Sequence, residues 1–368
     1  MTKEYTYRYR IYPDTNQVIQ LAKTFGCTRY VYNHYLEMSK DKAYKSKVEN
    51  NNNCNRELKQ ELSWLKEVDK FSITNSIYNL DNAFKRFFNN LGGYPKFKKK
   101  SNMQSYQTNF TNNNIEVLGN TIKLPKLARV LARVHRPIDG NIVNATIKKY
   151  PSGHYYVCIL VNREIQVKEE ADGIIGLDMG LTDFVTDNYG NKMNDPKALL
   201  KLMRKLVKEQ QRLSVKTKGS NNYRKQRIKL SRIHENISNI RNDFINQLSS
   251  KIVNDNQVII VEDLSIKKMM MESNLAKRLA DVSISEFINK LEYKSRWYGR
   301  LFIKIDKYYA SSQICSFCES KNPEVKDLSV RNWVCPTCHM EHDRDINAAE
   351  NIVNRGMDIL FDKYSLAI

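Results

Sequence analysis

No stretch of 18 apolar residues occurs in this 368-residue chain, so no membrane-spanning helix is expected. The opening Met-Thr-Lys-Glu-Tyr-Thr-Tyr-Arg-Tyr-Arg lacks the apolar segment of a secretory signal. The seven cysteines are therefore expected in a reducing compartment, and the chain in the cytoplasm. Histidine is scarce: the six are dispersed, which argues against His-dependent hydrolytic chemistry. There is no Gly-x-x-x-x-Gly-Lys, no Gly-x-Ser-x-Gly and no His-Glu-x-x-His, so the common nucleotide-hydrolase, serine-hydrolase and zinc-protease signatures are missing. Acids are outnumbered, 40 against 60 bases, leaving a net charge of +20. A surplus this large points to a polyanionic partner, with counterion release from phosphates driving affinity. The 21 tyrosines lie among the lysines and arginines, a mixture suited to stacking on bases beside phosphate contacts.

At this length two to four domains are expected. Residues 4–12 alternate, with Tyr5, Tyr7, Tyr9 and Ile11 on one face and Thr6, Arg8 and Arg10 on the other, as in a half-buried strand. Pro13 and Asp14 close it. A helical stripe runs from about Asn16 to Ser39, and an Asn-rich stretch at 50–55 is expected to interrupt helical structure. A further helix over 72–90 places Ile73, Ile77, Leu80, Phe84, Phe87 and Phe88 on a core face. Residues 105–165 read as short strands with turns, a small β-barrel or meander into which the first strand pairs. From 173 the texture is α/β, with strands near 174–178, 183–187, 257–262 and 301–306 and helices near 196–216, 221–253 and 284–299. Residues 201–232 carry twelve lysines and arginines against one acid, Glu209, a track suited to nucleic acid.

Three acids stand in distinctive contexts. Asp178 lies in Gly-Ile-Ile-Gly-Leu-Asp-Met-Gly-Leu (173–181), Glu262 ends Val-Ile-Ile-Val-Glu-Asp-Leu (258–264), and Asp345 opens a helix in Asp-Arg-Asp-Ile-Asn-Ala-Ala-Glu-Asn-Ile (343–352). A carboxylate beside an apolar strand is costly unless it meets a cation. Three converging ones would hold Mg²⁺ ions, and two such ions stabilise the attacking and leaving oxygens of a phosphodiester. Taken singly, Asp178 reads equally as a turn residue, Glu262 as an ion-pair partner and Asp345 as a helix N-cap. Asp263 and Asp343 are rival ligands by adjacency, and Asp183 and Asp187 weaker ones.

Cys315-x-x-Cys318 and Cys335-x-x-Cys338, sixteen residues apart, have the spacing of a four-thiolate zinc site with no open position, hence a structural Zn²⁺. His339 and His342 are neighbours read as non-ligands. Arg331, Trp333 and Lys326 make the intervening loop a plausible DNA contact.

These motifs together resemble the TnpB family of transposon-encoded, RNA-guided DNA endonucleases, relatives of the type V CRISPR effectors. The resemblance rests on Tyr9-Arg-Ile-Tyr-Pro13, Thr28-Arg-Tyr-Val-Tyr-Asn33, Gly93-Tyr-Pro-Lys-Phe-Lys98, Gly176-Leu-Asp-Met-Gly-Leu181 and Glu262-Asp-Leu264. It continues through Ser311-Ser-Gln313, both cysteine pairs and Asp343-Arg-Asp-Ile-Asn-Ala-Ala349. Met179, and His339 in place of the usual glycine after the final cysteine, depart from the family pattern. The resemblance implies a multidomain α+β and α/β architecture. A wedge-type β-barrel (1–12 and 104–170) would carry a helical recognition insertion (13–103). An RNase H-like RuvC domain (171–312 and 340–368) would carry a zinc ribbon (313–339). It further implies an Mg²⁺-dependent nuclease with Asp178, Glu262 and Asp345 as catalytic and metal-binding residues, in a prokaryotic cytosol. The implied partners are a guide RNA from the transposon end and double-stranded target DNA, with one protein monomer per guide. By position the family's readers of the target-adjacent motif fall on Lys70, Thr74, Thr111 and Asn112. The competing functions are an RNA-guided repressor without cleavage and an unguided transposase.

Overall fold

The alternating tyrosines become a strand, β1 (Thr2–Tyr12), whose Tyr7, Tyr9 and Ile11 are buried while the residues between them are not. The computed structural model describes residues 2–41, 44–101, 103–180, 183–194, 196–263, 284–307, 309–327 and 329–365. Leu181 and Leu264, the last residues of two motifs above, lie outside them. Two compact units form, one of Thr2–Glu164 with Arg227–Arg232, the other of Ile165–Gln226 with the chain from Ile233 onward. Among the described residues no helix is long and apolar enough to cross a membrane.

In the first unit β1 is joined by β2 (Gln104–Asn109), β3 (Glu116–Leu118), β4 (Thr121–Leu124), β5 (Ala128–Arg133), β6 (Asn141–Lys149) and β7 (Tyr155–Glu164). They form one seven-stranded antiparallel sheet in the order β2-β6-β7-β1-β5-β4-β3. The buried tyrosines of β1 keep hydroxyl partners, as buried phenols must: Tyr9 donates to the Arg136 carbonyl at 2.9 Å and Tyr7 to that of Asp139 at 3.4 Å. Asp14 ends the strand and starts helix α1 (Thr15–Asp41), accepting from the Gln17 amide at 2.8 Å while its own amide donates to the Gln17 side chain. That reciprocal pair is a capping box.

The Asn-rich stretch does not interrupt helix. Residues Lys47–Asn53 form α2, followed without a break by a π turn over Cys54–Leu58. The reason is local: Ser46 and Glu49 make a second capping box, and buried Asn50 bonds the Lys45 carbonyl at 2.9 Å. Helix α3 (Lys70–Phe88) is capped by Asp69 and buries Ile73, Ile77, Leu80 and Phe84 as the periodicity predicts. Phe88, the last residue of the helix, stacks on Phe84 along that face but is 62% exposed.

The second unit is α/β. Its sheet has the order β10-β9-β8-β11-β12, from β8 (Gly173–Asp178), β9 (Val185–Asp187), β10 (Lys192–Met193), β11 (Asn256–Glu262) and β12 (Leu301–Ile305). Strands β8, β11 and β12 are parallel neighbours, which explains their nearly continuous apolar runs. The helices are α4 (Lys197–Ser214), α5 (Asn221–Asp255), α6 (Ile284–Tyr298) and α7 (Arg344–Ser365). In α4 the sole acid, Glu209, is buried against Arg212 and the Gln226 amide, so the exposed charge of this helix is entirely basic.

Helix α7 lies against the sheet at two glycines. A Cβ at Gly176 on β8 would collide with the Ala349 carbonyl and stand 2.7 Å from Val353 Cγ2. A Cβ at Gly356 on α7 would collide with the Ile260 side chain of β11. Gly176→Ala should therefore cost about 1–3 kcal/mol, since backbone must move. Gly356→Ala should cost less, because Ile260 can repack. Gly26→Ala on α1, where a Cβ meets nothing within 4 Å, should be neutral or stabilising. Thermal melts of the three variants check this order.

Candidate active site and cysteine cluster

Parallel pairing brings two of the three acids side by side. The β8–β11 register pairs Leu177 with Val261, so Asp178 and Glu262 are the next residues at the carboxyl ends of adjacent strands. The close approach of α7 brings its second residue, Asp345, within electrostatic reach of Asp178. Burial pushes the Asp178 carboxyl well above the usual carboxylate range, and the charges of Glu262 and then Asp345 push it further. Glu262 is also raised by burial, opposed by the Ser311 hydroxyl, which donates to its Oε1. Arg331 Nη1 stands 3.4 Å from both Asp345 oxygens. That pair is part-exposed and worth at most about 1 kcal/mol, and the charges of Arg344 and Arg331 offset the rise at Asp178 only in part.

The rivals have other employment. Asp343 caps α7, accepting from the Asp345 amide at 3.0 Å and the Ile346 amide at 3.2 Å, and meets Lys192 at 2.7 Å. Despite partial burial, the Lys192 contact holds its carboxyl below the usual range. Asp187 is buried and fixes a turn through the amides of Tyr189 and Asn191. Asp263 is exposed beyond the end of β11, and Asp183 is partly buried ahead of β9.

Four residues that spacing alone did not single out hold this arrangement. Ser311 orients Glu262. Asn347 and Asn351, one turn apart on α7, both donate to the Ile314 carbonyl, at 2.7 and 2.6 Å. Buried Arg344 donates to the Asp327 carbonyl at 2.7 Å. The only sequence signal for them was membership of the Ser311-Ser-Gln313 motif and of the 343–352 stretch that carries Asp345.

The four cysteines converge. Their sulfurs all lie within 4.8 Å of one another, with Cys315–Cys338 and Cys318–Cys335 at 3.6 Å. They form the only such group of ligand-type side chains among the described residues, so the three carboxylates stand further apart than this. The two knuckles share one geometry. The residue after each second cysteine, Glu319 and His339, has a positive φ (61° and 59°), and its amide donates to the carbonyl of the first cysteine. Glycine adopts such a φ without strain, which His339 does not. The Cys338 amide and the Ser320 hydroxyl pull the Cys335 thiol down to about 5. His342, on β14 (Glu341–Asp343), which pairs with β13 (Asn332–Val334), stacks on Trp333 and places Nε2 at 3.1 Å from Cys315 Sγ.

The four expected motif readers come from neighbouring elements. Thr74 bonds Asn51, and Lys70 lies over the Phe71 ring. Thr111 and Asn112 form the exposed turn after β2. Asn75, beside Thr74, bonds Asn109 at 3.0 Å and so ties α3 to the strand that leads into that turn.

His339→Gly removes the strained φ and should raise stability by up to about 1 kcal/mol, read as a higher melting temperature. An unchanged or lower value would mean that the imidazole carries a structural contact of its own.

A family model described as "Probable transposase" matches residues 156–272, one described as "Cas12f1-like, TNB domain" matches 285–352, and one described as "Helix-turn-helix domain" matches 1–47. In that last span the structure has strand β1 followed by helix α1. A Streptomyces pristinaespiralis protein named "Putative RNA-guided DNA endonuclease" is 32% identical over 360 residues, 95% of this chain and 89% of that protein. An Escherichia coli (strain K12) protein named "Putative RNA-guided DNA endonuclease InsQ" is 25% identical over 390 residues, 98% of this chain and 94% of that one. The cryo-EM structure of a Cas12f1–sgRNA–target DNA complex superposes with a TM-score of 0.63 at 14% identity, covering 96% of this chain and 99% of that one, which shows a common fold. With a relative this similar along nearly its whole length, the chain belongs to the TnpB (OrfB) family.

Proposed function

We propose that this chain is a transposon-encoded, RNA-guided DNA endonuclease that hydrolyses phosphodiesters of double-stranded DNA with Asp178, Glu262 and Asp345. The observation that carries the reading is geometric: strand register sets Asp178 beside Glu262 at the carboxyl ends of β8 and β11, and the helix that packs on β8 carries Asp345 in its first turn. Such a set fits hard divalent cations, and Mg²⁺ is the ion of choice. When bound, a pair of these ions activates a water and neutralises charge on the leaving 3′ oxygen. The chain's own residues do the positioning. Ser311 holds the Glu262 carboxylate, Asp343 with Lys192 fixes the first turn of α7 and hence Asp345, and strand pairing fixes Asp178 beside Glu262.

The cysteine cluster is read as a structural Zn²⁺ site, four thiolates with no open position. The seven-stranded sheet is read as a wedge-type barrel with the helical residues 13–103 as its recognition insertion. The second unit is read as a RuvC-like nuclease domain interrupted by a zinc ribbon at 313–339. The names of the relatives, the net charge of +20 and the exposed charge of α4, all of it basic, support guide RNA and target DNA as partners, with guide pairing reading the sequence. Lys70, Thr74, Thr111 and Asn112 are assigned to reading the target-adjacent motif, a role their neighbouring placement supports.

With guide and matched target supplied, Asp178→Ala should lower cleavage at least about 10³-fold, several kcal/mol of transition-state stabilisation, while target binding is retained. Cleavage at the wild-type rate would remove Asp178 from the reaction. The metal site has a readout apart from activity. A carboxyl raised in the folded state penalises folding increasingly as pH climbs from the ordinary carboxylate range toward the folded value. At neutral pH and without divalent ions, Asp178→Asn should therefore melt higher than wild type. Added Mg²⁺ should stabilise wild type and not the variant, and equal stabilisation of both would place the ion elsewhere.

A further inference from the structure

Two motifs take no part in the chemistry above, Thr28–Asn33 on α1 and Gly93–Lys98, and the structure ties them together. Asn33 Nδ2 donates to the Lys98 carbonyl at 3.0 Å and its Oδ1 accepts from the Lys98 amide at 2.8 Å. The Lys98 ammonium lies 4.0 Å from the centre of the Tyr32 ring. Gln104 then bonds the carbonyls of Lys99 and Lys100 through Nε2 and accepts from Arg29 through Oε1 at 2.6 Å. The segment is strapped to α1 by its backbone, and the carbonyls of exposed Lys99 and Lys100 share the Gln104 side chain with Arg29.

On the same stretch of α1 a cavity of about 710 Å³ opens. It falls in the range of about 300–1,000 Å³ that holds small organic ligands. Gly26, Cys27, Tyr30, Asn33 and His34 line one side and Trp64 the other. Tyr30 and Trp64 meet edge to face at 5.2 Å and stay 40% and 38% exposed, a large aromatic surface left facing water. His34 stacks on Tyr30 at 5.9 Å, and burial keeps its imidazole below its ordinary value, hence neutral with one donor and one acceptor at neutral pH. The acid at the rim, Glu67, is paired with Lys23 at 2.6 Å, which leaves the flank positive. A Cβ at Gly26 would meet nothing within 4 Å, so the space extends down to the helix backbone.

We propose that this cavity takes one unpaired nucleotide, its base stacked on Trp64 beside the Tyr30 ring with an edge toward His34, and its phosphate on Arg29, Lys99 and Lys100. The proposal rests on the nucleic-acid reading above and adds a single-nucleotide site to it. Aromatic stacking accepts any base, and the neighbouring cations follow the backbone. The nucleotide comes either from an unpaired part of the guide RNA or from the displaced DNA strand, and both present the same chemistry to the cavity.

The test is direct binding of labelled oligouridine, oligothymidine and a fully paired duplex to the full-length protein, without guide or cleavage. Failure here therefore leaves the endonuclease reading untouched. Trp64→Ala should weaken single-strand binding roughly 5- to 100-fold and leave duplex binding unchanged. Gly26→Leu, which fills the cavity from a helical position with room for a side chain, should do the same without lowering the melting temperature. A loss confined to oligouridine assigns the site to the guide, one confined to oligothymidine assigns it to displaced DNA, and a loss on both supports a site for either. Wild-type affinity for single strands in both variants, or equal weakening on the duplex, would overturn the proposal.

Discussion

Acids set side by side at the ends of two parallel strands fix the terms for the second unit. Asp178, Glu262 and Asp345 come from two strands and a helix, and the fold holds them close although Asp178 is destabilised by both neighbours. Burial and the neighbouring charges disfavour the ionised form of Asp178, and burial that of Glu262. Three kinds of contact oppose the repulsion. Parallel pairing fixes the strands, Gly176 and Gly356 let α7 approach the sheet, and the Asp343–Lys192 cap secures the helix start. Under the proposed function, a divalent cation would complete this arrangement.

The cysteine cluster belongs to the same mechanical unit. The Ile314 carbonyl, one residue before Cys315, receives both Asn347 and Asn351, and the Ser316 amide donates to Asn347 at 2.9 Å. The Ser316 hydroxyl reaches Glu350, and the Arg344 amide donates to the Arg331 carbonyl. The first knuckle thus grips the first two turns of α7, the helix that carries Asp345. A metal held by the four thiolates, as proposed, would order those backbone atoms and, through them, Asp345. The same loop sends Arg331 to Asp345, so a residue that spacing suggested as a nucleic-acid contact lies against a member of the acid set.

Much of this was legible because its causes are local. Apolar runs with β-branched residues gave the parallel strands, the period of Ile73, Ile77, Leu80 and Phe84 gave a helix face, and the two Cys-x-x-Cys pairs gave a cluster the structure closes. What escaped depends on partners distant in sequence or on a cap outweighing composition. The asparagine run is helical because Ser46 and Glu49 cap it, and Phe88, the last residue of its helix, is exposed. Asp343 and Asp345 could not be told apart by adjacency. Their roles separate once Lys192 and the helix amides occupy one of them. Ser311 shows its use only when β11 brings Glu262 within reach. The meeting of Thr28–Asn33 with Gly93–Lys98 through Asn33 is likewise invisible to spacing.

The most direct measurement is sequencing of the RNA that co-purifies with the protein when it is expressed together with its own flanking DNA. The account predicts one discrete species with a constant scaffold and a variable 3′ end. Only heterogeneous cellular RNA, or none, would contradict guided targeting and leave an unguided nuclease or transposase in its place.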